Sequence, residues 1–94
     1  MDGKRFRESL QQPQPPAGCS LFLQALWFDA KGMWEQAHDL VQDGTGKDAA
    51  RIHAYLHRKE GDVVNADWWY RKAGVNRPQH SLEKEWEDLV QLNL

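Results

Sequence analysis

At residues 54–66 the chain reads AYLHRKEGDVVNA, and at residues 25–37 it reads ALWFDAKGMWEQA. Aligned, the two stretches share an alanine, a glycine and a second alanine at a constant offset of 29 residues (25 to 54, 32 to 61, 37 to 66). Each shared residue has a use in a helical hairpin. The first alanine lets two helices approach closely. The glycine accepts the left-handed backbone that ends the first helix, and the second alanine sits where the returning helix crosses. A pattern of this kind repeated at a fixed offset is the mark of a stacked helical architecture.

Working outward, the apolar residues keep a helical period. Leu21, Leu23, Leu26, Trp27 and Phe28 predict a first helix over about 20–31, stopped by Gly32. Trp34, Ala37, His38 and Val41 predict a second over about 33–42. After DGTGKD, where Thr45 is a candidate N-cap with Asp48 three residues on, Ala49, Ile52, His53 and Leu56 predict a third over about 47–60. Val63, Ala66, Trp69, Tyr70 and Ala73 predict a fourth over about 63–73. Ser81 is a candidate cap for a last helix that starts with Glu83 and Glu85 and buries Leu82, Trp86, Leu89 and Val90. No apolar–polar alternation argues for a sheet. The expected fold is all-α: about five helices, arranged as two stacked antiparallel hairpins with a C-terminal capping helix. Residues 1–18, with three prolines, three glutamines and no sustained period, predict a flexible arm; residues 19–94 form the single domain.

The second unit resembles a tetratricopeptide or Sel1-like repeat. EGDVVNADWWYRKA carries that family's Gly-Asp turn, then Ala66, aromatic Tyr70 and Ala73, and Pro78 follows where such units end. The resemblance is good over residues 47–78 and weaker over 21–44, where Val41 and Gly44 replace the aromatic and the last alanine. The 29-residue offset is shorter than the family's usual length of roughly 34. HAYLHRKEGD and NADWWYRKAG also resemble a group of small bacterial proteins. That likeness implies the same fold and a bacterial, cytoplasmic setting, and it adds no activity.

Composition narrows the function classes. A net charge of −2 over 94 residues offers no general attraction to nucleic acid or to an anionic membrane. The longest apolar run is half of a membrane span. One cysteine, Cys19, forms no internal disulfide and favours a reducing cytoplasm, with the thiol inert. GTGK at 44–47 lacks a phosphate loop's first glycine, since residue 41 is Val, and its Ser/Thr, since residue 48 is Asp. No catalytic signature emerges, so neither an enzyme nor a cofactor is expected.

Two readings compete for the histidines. His53 and His57 flank Ala54 at positions that pack inside a hairpin, and His38 lies on the inward stripe of the second helix. An unpaired buried imidazole costs about 1–3 kcal/mol, so partners are required; Asp39, Glu60, Asp62 and backbone carbonyls are candidates. One reading is a hydrogen-bonded core network that fixes how the hairpins dock. The other is a zinc- or nickel-type site of His38, His53 and His57, although the Glu that follows the first His of a helical zinc motif is replaced by Ala54.

The repeat resemblance implies a protein-interaction module. Its concave face would present Arg51, Tyr55, Arg58 and Lys59 to an acidic segment or a C-terminal carboxylate. Trp68, about 100° round the helix from Trp69, is either covered by the terminal segments or an exposed anchor at a partner or homodimer interface. The alternatives are a metal-binding or histidine-dependent protein, and a subunit completed by homodimerisation, because two repeats leave apolar end faces to cover.

Overall fold

Gly32 and Gly61 end their helices with the same pair of backbone hydrogen bonds. In the computed structural model, which describes residues 1–94, Gly32 N–H donates to Asp29 O (2.9 Å) and Met33 N–H to Phe28 O (2.9 Å). Twenty-nine residues later, Gly61 N–H donates to Arg58 O (3.1 Å) and Asp62 N–H to His57 O (2.9 Å). Both are Schellman ends, and both glycines are left-handed, with φ of 80° and 92°. Ala25, Ala37, Ala54 and Ala66 are all fully buried.

The chain is entirely helical. Helix α1 spans Gly3–Glu8 and continues into a 3-10 turn at Ser9–Gln11. Helices α2 (Leu21–Ala30) and α3 (Trp34–Val41) form the first hairpin, and α4 (Gly46–Glu60) and α5 (Val63–Ala73) the second. Helix α6 (Leu82–Asn93) closes the molecule against α2 and α4. Ser20 caps α2 by accepting from Leu23 N–H, and Ser81 caps α6 by accepting from Lys84 N–H. Thr45 occupies the N-cap position of α4, but its side chain makes no capping hydrogen bond. No helix is long and apolar enough to cross a membrane.

The core joins Leu26, Trp27, Ile52, Leu56, Trp86 and Leu89 across α2, α4 and α6. Three indole N–H groups find a carbonyl on another element: that of partly buried Trp34 on Leu56 O, and those of buried Trp86 and Trp27 on Leu26 O and Ser9 O.

The flexible arm expected over residues 1–18 is corrected in part. Asp2 accepts from Arg5 N–H (2.8 Å) to cap α1, and Phe6 is completely buried, its ring 6.0 Å from Trp86. Arg7 pairs with Glu87 (2.8 Å), and Lys31 donates to Leu10 O (2.8 Å). A six-residue helix has too few turns to display a period. One phenylalanine inserted into the core holds it, so the domain begins at α1.

Candidate metal centre

Helices α3 and α4 bring the three predicted histidines together. His38 projects from α3, and His53 and His57 stand one turn apart on α4, stacked at 4.8 Å between ring centres. His38 Nε2 lies 3.0 Å from His53 Nε2. One ligand nitrogen from each of the three rings lies within 4.8 Å of the others. His53 and His57 are buried and His38 is partly so. Two neutral imidazoles meet nitrogen to nitrogen only when one carries a proton that the other accepts. Bound to both nitrogens, a metal ion would take the place of that proton.

The surroundings set the chemistry of each ring. Glu60 Oε2 is 2.6 Å from His57 Nδ1. An ionised carboxylate only accepts, so in its neutral form the His57 ring carries its proton on Nδ1 and presents Nε2 as the acceptor, the lone pair that would ligate. Asn65 from α5 lies 3.4 Å from that Nε2. Trp34 stacks on His38 at 4.9 Å and Trp69 on His53 at 4.0 Å, walling the cluster on two sides. Burial, followed by the neighbouring His38 and His57, pushes the His53 pKa down to about 4.

That depression has a sign that can be tested. The unfolded chain protonates His53 below its ordinary pKa of 6.5, whereas the folded chain resists until about 4. The metal-free protein therefore keeps its full stability above pH 6.5 and loses it as the pH falls, by about 2 kcal/mol between pH 6.5 and 5. The groups facing His53 are His38 from α3 and His57, itself held by Glu60. Urea unfolding at stepped pH measures the slope, and His53→Gln should flatten it across this window.

Of the partners anticipated for the histidines, Glu60 is engaged. Asp39 instead accepts from Gln42, and Asp62 caps α5 by accepting from Asn65 N–H. The flanking Trp34 and Trp69 were the unread signal: Trp34 lies four residues before His38, on the same helix face. Burial pushes the pKa of the Cys19 thiol up.

The basic groove expected from Arg51, Tyr55, Arg58 and Lys59 is corrected. Helix α6 packs against α4. Tyr55 is buried and donates to Asp29 Oδ2 (2.7 Å), while Lys59 pairs with Asp29 Oδ1 (2.9 Å). Arg58 pairs with Glu85 Oε1 (2.7 Å), and Glu85 also accepts from the Tyr70 hydroxyl (2.6 Å). Asp29 and Glu85 are 2% and 1% exposed. Each buried carboxylate thus holds one tyrosine and one cation, and both phenols are pushed well above their ordinary range, by burial first and by the carboxylates second. Arg51 is partly buried, with its Nε unpartnered. Trp68 is not covered by the terminal segments; it is 46% exposed, under Lys72 at 5.0 Å from its ring centre.

No protein family, curated protein or solved structure matches the chain.

Proposed function

We propose that this chain is a small metal-binding helical protein in which His38, His53 and His57 hold one divalent ion of the zinc type. The observation that carries the reading is the convergence of three ligand nitrogens, within 4.8 Å of one another, from both hairpins. Imidazole suits zinc, copper and nickel, and zinc accepts three histidines with a fourth position left for water or a side-chain oxygen. Around an ion at about 2.0–2.1 Å the ligand nitrogens sit about 3.4 Å apart, so the 3.0 Å pair needs little adjustment. Glu60 supplies the carboxylate that orients a metal-bound histidine.

The role that fits is a clip, not catalysis. None of the molecule's cavities is lined by these histidines themselves. The ion would tie α3 of the first hairpin to α4 of the second. Tag-free protein dialysed against zinc at pH 7.5 should retain one equivalent per chain, and His38→Gln or His53→Gln should lose it. Failure of the parent chain both to retain metal and to gain stability from zinc or nickel would remove the proposal.

A second reading, a tetratricopeptide-like interaction module, is supported by the outer face of α5. Val64 is 84% exposed, and Trp68 follows it four residues later. A second copy of the chain could cover that pair, and a monomer at every micromolar concentration in sedimentation velocity would set the homodimer aside.

A further inference from the structure

The largest cavity of the molecule, about 600 Å³, lies on the side of α5 facing the loop to α6 and shares no residue with the histidine cluster. Arg58 from α4, Arg71 from α5 and Arg77 from the loop line it, with Asp67 the only acidic residue among them. Half of the chain's six arginines thus meet in one concavity of a protein whose net charge is −2. Such a concentration runs against the overall sign of the molecule.

The three guanidinium groups play different parts. Arg58 is pinned by Glu85 and by the His80 carbonyl, which fixes its plane at the cavity wall. Arg77 leans on Asp67 at 3.3 Å. Arg71 is exposed and makes no ion pair. With Arg58 balanced by Glu85 and Arg77 by Asp67, the charge of Arg71 is left over, so the cavity stays positive. Val75, Pro78 and the Tyr70 ring add apolar lining. A volume of this size is in the range that holds a small organic ligand, and arginine forks match the paired oxygens of carboxylate and phosphate.

We infer that this cavity is a binding site for a small organic oxyanion, with Arg71 as the principal charge contact and Arg77 as its released second fork. On binding, Arg77 exchanges the Asp67 carboxylate for the ligand, so affinity depends on both side chains. Phosphate and carboxylate share this chemistry, and separate probes distinguish them.

The test is an NMR titration of the full chain with inorganic phosphate and, separately, with succinate, each against chloride at matched ionic strength. Saturable shifts are expected at the Arg71 and Arg77 Nε–H groups and at the amides of residues 75–77. Saturation by phosphate alone assigns a phosphorylated ligand, by succinate alone a carboxylate, and by both a general oxyanion site; each upholds the inference. Arg71→Gln, which disturbs no internal partner, should weaken binding by about ten-fold or more, the loss of a charge-assisted hydrogen bond. Arg77→Gln should act in the same direction. Shifts no larger than those with chloride, or affinities unchanged in both variants, overturn it.

Discussion

Glu85→Ala is expected to lower the unfolding free energy by about 3–5 kcal/mol, because it strips a buried ion pair of one member. Arg58, its side chain only 18% exposed, would keep its charge with no carboxylate beside it, and the buried Tyr70 hydroxyl would lose its acceptor. Water does not readily replace Glu85, which sits under α6 against α4 and α5. A chain of this length has a total stability of about 5–14 kcal/mol, so the variant falls near the threshold of folding. Urea unfolding of the parent and of Glu85→Ala gives the difference directly. A cycle with Tyr70→Phe sharpens it: the phenylalanine should cost about 1 kcal/mol in the parent and close to nothing once Glu85 is gone. Additive losses would show that the tyrosine and the carboxylate are not coupled. Replacing Glu85, Arg58 and Tyr70 together by Leu, Met and Phe should recover most of the loss, since a well-packed apolar substitute often matches a buried pair.

The same triad explains where sequence reasoning stops. Hairpin geometry was legible because its causes are local: a glycine that must be left-handed, an alanine that must be small, and a serine that caps its own helix. The inward placement of His53 and His57 followed from those positions, whereas whether they meet His38 was left open between two readings. The use of Arg58 and Lys59 did not follow. A basic residue beside a helix stripe looks alike whether it faces solvent or a carboxylate 27 or 30 residues away. Tyr55 was misplaced for a related reason. Helix α4 is enclosed on several sides, with every residue from Ile52 to His57 buried, so a single apolar stripe understates how much of it is covered. Phe6 marks the opposite limit, a lone core residue in a polar segment.

Saturating zinc should raise the melting temperature by about 10–20 °C. A ligand bound only by the folded state adds about 2.7 kcal/mol at a hundred-fold excess over its Kd, and each kcal/mol moves a domain of this size by about 4–8 °C. The source of the gain is specific. His38 and His53 belong to different hairpins, so an ion between them must be released before α3 and α4 separate. Glu60→Gln tests this without touching a ligand. The amide can still reach His57 Nδ1, but it no longer holds the proton there as a carboxylate does, and metal affinity should fall about 10–100-fold. The metal-free stability of this variant should change by less than about 1 kcal/mol, because Glu60 is a partly exposed partner. A cluster that is only a hydrogen-bonded core network would behave oppositely: zinc would leave the melting temperature where it was, and Glu60→Gln would alter neither binding nor its pH dependence. His53→Gln separates the two cases again, since it should abolish the zinc-induced shift while removing the acid-labile imidazole from the core.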